Sequence, residues 1–157
     1  MPLLVTSLKS PIGILNLLAD DQILIGANLS TISAFKIGKD VRVVKSIPVI
    51  SDLIGDYFDG DLSAINAIKT RQEGAAFSQA AWKGMRKIVP GKVISYAELA
   101  DRAGSPAAVR AAGTACSTNA IMLVVPCHRV VKTGGALGNY AYGVDKKEWL
   151  LSHEGFL

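Results

Sequence analysis

Ser95-Tyr96-Ala97-Glu98-Leu99-Ala100-Asp101-Arg102-Ala103-Gly104, followed by Ser105-Pro106-Ala107-Ala108-Val109-Arg110-Ala111-Ala112-Gly113-Thr114-Ala115-Cys116, decides the fold of the second half of this chain. Ser95 with Glu98 three residues later is a capping box, in which a side-chain oxygen satisfies an orphan N–H of the first helical turn. Gly104 suits the left-handed position just past a helix end. Ser105-Pro106 then supplies a second N-cap and a proline at the first helical position. Three agreeing signals predict two helices separated by about two residues, a helix-turn-helix. At roughly 100° per residue, the second helix sets Val109, Ala112, Gly113 and Cys116 on one side. Ala107, Arg110, Ala111 and Thr114 share the other. Cys116 reads as a small core residue. The opposite face permits close approach to a ligand, and its single Arg can reach phosphate or insert between bases. An ordinary solvated Arg on an Ala-rich helix has the same pattern.

Working toward the N-terminus, Phe77, Ala80, Ala81, Gly84, Met85 and Ile88 form a helical stripe with Trp82 at its edge, closed by Pro90-Gly91. The first third is β-rich instead. Short apolar segments at residues 3–8, 12–18 and 23–28 are separated by Ser-Pro and Asp-Asp, and Asp20-Asp21 predicts a hairpin turn. Ile50, Leu53, Ile54, Tyr57 and Phe58 recur at helical spacing, ended by Asp59-Gly60-Asp61. Residues 65–70 look strand-like, and the polar link Arg71-Gln72-Glu73-Gly74 marks a boundary. The expectation is an N-terminal α/β domain over residues 1–75 and a mostly helical domain over 76–157.

Toward the C-terminus, the apolar run Ile121-Met122-Leu123-Val124-Val125 predicts a short buried strand that Pro126 breaks, leaving Cys127 beside His128. A cysteine attacks as thiolate, and a neighbouring base or cation makes the thiolate accessible near neutral pH. Adjacent side chains on an extended strand point to opposite faces. The backbone must therefore turn at Pro126, or a water must bridge the two groups, if His128 is to serve Cys127.

With half its residues hydrophobic and 19% charged, the 157-residue chain can build a sizeable core without disulfides or metal. Its apolar runs are too short to span a bilayer, so no membrane association is expected. No signal peptide is evident, and two cysteines suit a reducing intracellular setting. Residues 1–75 carry 7 Lys/Arg and 8 Asp/Glu, a net of −1, whereas residues 76–157 carry 10 and 5, a net of +5. The basic half points to a polyanion such as nucleic acid, or to a merely soluble basic surface.

Taken in order, Trp82, Pro90-Gly91-Lys92-Val93-Ile94-Ser95-Tyr96, Val109-Arg110-Ala111, Asn119, Pro126-Cys127-His128-Arg129-Val130-Val131, Gly138-Asn139-Tyr140 and Glu148-Trp149-Leu150-Leu151-Ser152-His153-Glu154-Gly155 resemble the O6-alkylguanine-DNA alkyltransferases, or methylated-DNA–protein-cysteine methyltransferases. The resemblance covers residues 77–155 well and the N-terminal third weakly. It implies a small antiparallel, RNase H-like sheet with a helix, then a mostly helical domain carrying the helix-turn-helix. It also implies a monomer that takes an alkylated guanine out of double-stranded DNA from the minor groove, with Arg110 filling the gap and Ala107, Ala111 and Thr114 on the groove floor. Cys127 is then the alkyl acceptor, His128 takes its proton through a water, and Glu154 orients the imidazole. Tyr96 protonates or polarises the departing base and contacts DNA. Asn119 ties the helix-turn-helix to the active-site strand, although a C-cap Asn fits the same place. Tyr140, Ala141, Val130 and Lys147 belong to the substrate pocket. A thioether product has no easy hydrolysis route, so the resemblance implies one turnover per molecule, no cofactor and no metal. The implied location is the cytoplasm near the nucleoid, or the nucleus in a eukaryote.

Two departures stand out. Ala120 follows Asn119 where the family usually has Pro, and Ala141 stands where many members carry Ser. The first 75 residues contain no Cys or His, which excludes there the structural zinc of some relatives. Three rival readings remain in view. An alkyltransferase-like lesion-binding protein lacks the cysteine that is present here. A cysteine hydrolase needs an oxyanion hole and turns over. A zinc site of Cys116, Cys127, His128 and His153 matches no standard ligand spacing.

Overall fold

A computed structural model describes residues 2–157. It is mixed α/β, with a five-stranded sheet and five α-helices. Two compact units emerge. The first runs to Gln72 and takes in Ala120–Val124; the second comprises Glu73–Asn119 and Val125–Leu157.

In the first unit the alternating apolar segments form β1 (Leu3–Ser10), β2 (Gly13–Asp20) and β3 (Ile23–Asn28), an antiparallel meander. Asp21 takes a left-handed conformation in the tight turn between β2 and β3. One strand escaped the sequence reading because it is short: β4 (Val41–Val43) lies parallel to β1, while β5 (Lys69–Thr70) pairs parallel with β3. The order is β4-β1-β2-β3-β5. The central strand β2 is buried along both faces from Leu15 to Ala19, which explains its nearly continuous apolar sequence. Helix α1 (Ile50–Phe58) buries Ile50, Ile54 and Tyr57, spaced as one stripe. The strand expected over residues 65–70 is mostly a 3-10 turn, Ala64–Ala67, with only β5 extended. Residues 121–125 are buried as expected, but not as a strand. Ala27 N–H donates to Ala120 O (2.9 Å) and Met122 N–H to Ala27 O (3.3 Å), one isolated bridge, after which the chain turns.

In the second unit α2 (Ala76–Arg86) buries Ala81, Trp82 and Met85. Trp82 Nε1 donates to Ala115 O at 2.9 Å, so this ring is a tie between helices rather than the edge of a stripe. After β6 (Ile94–Ser95), Ser95 caps α3 (Tyr96–Arg102) by accepting from Glu98 N–H at 3.0 Å. Gly104, at φ +95°, follows as the capping pattern requires. The second cap is different. Ala108 N–H donates to Ser105 O (2.9 Å), so Ser105-Pro106 opens a turn and α4 (Val109–Ser117) begins three residues later than the proline suggests. Residues 103–108 thus join the helices, and Ala107 lies in that connection. Strand β7 (Val130–Val131) pairs parallel with β6, and α5 (Val144–His153) completes the unit.

Candidate active site

The apolar run leads into two successive three-residue turns. Val124 N–H donates to Met122 O (2.9 Å) around Leu123, held at φ +73°, and Cys127 N–H donates to Val125 O (2.9 Å) around Pro126 at φ −84°, ψ 69°. The second has the geometry of an inverse γ-turn, which the proline ring favours by fixing φ. A single 3-10 turn, Cys127–Arg129, follows. Three residues per turn fan consecutive side chains apart by about 120° instead of alternating them across a strand. That is how one tripeptide serves two environments: Cys127 lines a cavity, while His128 and Arg129 reach Glu154.

Glu154 caps the C-terminal end of α5, where the helix dipole disfavours a carboxylate. Two partners compensate. Arg129 holds it with two hydrogen bonds, Nε to Oε1 at 2.8 Å and Nη2 to Oε2 at 2.9 Å, and spends Nη1 on Ile88 O at 2.6 Å. His128 Nε2 lies 2.8 Å from Glu154 Oε2. All three side chains are buried. Burial alone would raise the Glu154 carboxyl, but these hydrogen bonds and the positive charge of Arg129 hold it far below the usual carboxylate range. Burial pushes His128 the other way, below its ordinary value, so the ring is neutral near pH 7. With an ionised acceptor at Nε2, the proton sits there, and Nδ1 is the basic nitrogen. Nδ1 is buried and makes no hydrogen bond within the protein. Gly91, at φ +88°, lets the Pro90 turn approach this end of α5; a Cβ there would lie 3.1 Å from Glu154 O.

Cys127 is 8% exposed and opens onto a cavity of about 330 Å³. Its walls include Tyr96, Cys116, Lys132, Tyr140 and Ala141. Burial pushes the Cys127 thiol up; hydrogen bonding from the Asn119 side chain, the charge of Lys147 and its own backbone N–H pull it down. Asn119 Nδ2 also donates to Val125 O at 2.8 Å, the same carbonyl that closes the Pro126 turn. Burial, then the two thiols, push Tyr96 up to about 12. Gly138, at φ +79°, brings the following loop against this ring; a Cβ there would lie 3.1 Å from Tyr96 Oη.

Of the residues expected around the pocket, Tyr140 and Ala141 line the cavity, whereas Val130 and Lys147 sit behind it. Lys147 Nζ donates to Val130 O (2.7 Å) and Asn139 O (3.4 Å), fixing the loop before Tyr140 to β7. Its ammonium also stands 6.0 Å from the Tyr96 ring centroid. Cys116, read as core, is half-buried and faces the cavity; Ala115 takes the core position instead. Val109 is likewise 40% exposed, since α4 starts where it stands. On the outer face Arg110, Ala111 and Thr114 are exposed, with Ala107 exposed just before them. Arg129 was missed. A full charge between buried neighbours, with an acid near the C-terminus, was the available signal.

Residues 76–156 match the family model described as "6-O-methylguanine DNA methyltransferase, DNA binding domain", more than half of the chain. The chain belongs to this methyltransferase family. The methylated-DNA–protein-cysteine methyltransferase of Salmonella typhimurium is 46% identical over 108 residues, 69% of this chain. That match spans only 63% of the Salmonella protein, less than two thirds of its length. The protein of the same description from Methanosarcina acetivorans is 34% identical over 154 residues, 94% of this chain and 95% of that one. Among solved structures, the Mycobacterium tuberculosis OGT in complex with DNA superposes with a TM-score of 0.84 at 30% identity, covering 97% of this chain and 92% of that one. In this family member the matched segment contains Tyr96, Asn119, Cys127, His128, Tyr140 and Glu154, so the whole cluster lies inside the family's own region.

Proposed function

We propose that the protein repairs DNA by transferring an alkyl group from O6 of guanine to Cys127, once per molecule. The observation that carries this reading is a buried thiol on a cavity wall beside a neutral histidine. The imidazole of that histidine is anchored at Nε2 by an ionised carboxylate and basic at Nδ1. In the reaction, Nδ1 takes the Cys127 proton through a water, and the thiolate attacks the alkyl carbon as the C–O bond breaks. The electron pair leaves on guanine. Tyr96, whose hydroxyl keeps its proton well above neutrality, donates a hydrogen bond to the departing base, polarising it rather than ionising. Arg129 and Glu154 position His128. Asn119 supports the thiolate and the turn that presents it. Tyr140 and Ala141 bound the base, while Val130 and Lys147 brace that wall from behind.

The partner in this reading is double-stranded DNA, engaged through its minor groove by α3 and α4 acting as a helix-turn-helix. The small side chains of Ala107, Ala111 and Thr114 allow close approach, and Arg110 fills the space of the extruded base. The N-terminal sheet is RNase H-like, residues 1–75 form the first domain and 76–157 the alkyltransferase domain, apart from Ala120–Val124, which the first unit takes in. The protein works as a monomer in the compartment that holds the DNA.

Intact mass after incubation with an oligonucleotide containing O6-methylguanine, followed by peptide mapping, tests the reading. One methyl on Cys127, saturating at one per protein, is expected. Tight binding with no gain in mass would move the chain to the lesion-sensing class.

A further inference from the structure

We propose that Cys116 is a resolving thiol for Cys127: oxidation in the pocket closes a Cys116–Cys127 disulfide that reversibly shields the alkyl acceptor. The chain has two cysteines, both free, and both line the same cavity. Cys116 comes from the last turn of α4 and Cys127 from the first residue of the 3-10 turn, so separate elements bring them together. Ionising Cys127 opposes ionising Cys116, and both thiols act on the same two neighbours, Tyr96 and Lys147. Alkyl transfer as described above makes no use of Cys116.

The chemistry supplies the reason for a second thiol. An oxidised cysteine with no partner climbs from sulfenic to sulfinic acid, which thiol reductants do not reverse. With a hydroperoxide as oxidant, the Cys127 thiolate attacks the terminal oxygen, the O–O bond breaks, and the products are Cys127 sulfenic acid and an alcohol or water. The Cys116 sulfur then attacks the sulfenic sulfur, releasing water. In sum, two thiols and one hydroperoxide give one disulfide, one alcohol or water, and one water. A thiol reductant returns both thiols by exchange. The disulfide joins two side chains that line one cavity, and it places Cys127 beyond the reach of a bound base.

The test uses the intact chain treated with an excess of hydrogen peroxide, then read by mass and by non-reducing peptide mapping. The expected product has lost two hydrogens and yields a Cys116–Cys127 cross-linked peptide. After reduction, more than about half of the methyl-accepting capacity returns, each sample being compared with its own untreated control. Cys116→Ser should instead gain oxygen on Cys127 and recover less than about a tenth. Cys116→Ala should behave alike, which covers a serine variant that folds poorly. Oxygen on Cys127 with Cys116 still free in the parent chain, or recovery in both variants equal to that of the parent chain, would overturn the proposal. The consequence for repair rests on Cys127 as acceptor, but the cross-link is read by mass alone and fails or stands independently of that role.

Discussion

The two units keep their buried polar groups on different terms. In the first, they are neutral and paired with neutral groups: Asn16 Nδ2 donates to Asn28 Oδ1 at 2.9 Å and Thr6 Oγ1 to Lys45 O at 3.1 Å. In the second, full charges are buried, with Arg129 and Lys147 essentially inaccessible and Glu154 4% exposed. Burying an ion pair is costly, and hydrophobic replacements of similar shape often stabilise a protein as well or better. The charges of the second unit are therefore explained by what they hold, a neutral imidazole with its proton on the far nitrogen. The neutral pairs of the first unit satisfy a sheet; the ionic ones orient a base.

The largest expected effect is chemical. Cys127→Ala should abolish methyl transfer while changing affinity for alkylated duplex by less than about twofold, because one buried sulfur contributes little contact with DNA. A large affinity loss in a gel-shift or anisotropy titration would make the thiol structural, and the contrast between units would lose its functional half. Next comes stability. Glu154→Gln keeps the shape but leaves Arg129 buried opposite a neutral amide, a change on the order of 3–5 kcal/mol. Asn16→Ala in the first unit removes neutral hydrogen bonds, a change of about 1–3 kcal/mol. Urea unfolding followed by tryptophan fluorescence and by circular dichroism would compare them. Equal destabilisation would erase the distinction drawn here.

What could be read in the sequence follows the same division. The short apolar segments of residues 3–28 and the stripe of α1 announced themselves, because Ser-Pro and Asp-Asp bound the strands and the helix repeats its burial with its own period. The alkyltransferase motif brought Cys127, His128 and Glu154 to notice before any geometry did. Its mechanics stayed hidden. That Cys127 and His128 diverge by a 3-10 turn depends on two γ-type turns, one of them strained at Leu123, which no propensity encodes. Ser105-Pro106 misled because the same pair that starts a helix also starts a β-turn. Cys116 misled because the face assignment took α4 to be flanked by core on one side, whereas that side opens partly onto a cavity. Arg129 needed a partner 25 residues away, and long-range pairing is what a local reading lacks.

A smaller effect separates the outer face of α4 from its inner one. Arg110→Ala removes an exposed side chain that makes no ion pair among the described residues, so stability should change by less than about 0.5 kcal/mol. Transfer from duplex DNA should slow by about tenfold, since about 1.4 kcal/mol of the cost of base extrusion goes uncompensated. Transfer from free O6-methylguanine should not change. Equal losses on both substrates would assign Arg110 to the pocket rather than to the DNA.

The smallest effect is a slope with pH, and its sign distinguishes a buried neutral histidine from a buried charged one. Both His128 and Glu154 are held below their ordinary values in the folded chain. Between the ordinary and the lowered value, the unfolded chain binds a proton that the folded chain does not, so stability falls as pH falls. For His128 the loss begins below about 6.5, and for Glu154 it adds below about 4.3. Each proton contributes at most about 1.4 kcal/mol per pH unit. Urea midpoints at pH 7.5, 6 and 5 should therefore decline, and His128→Asn, which keeps a donor toward Glu154 but cannot titrate, should flatten that part of the decline. A midpoint that rises toward pH 5 would mean the imidazole is protonated against Glu154. Nδ1 would then carry a hydrogen and could not accept the proton of Cys127, and the proposed activation of the thiol would fail with it.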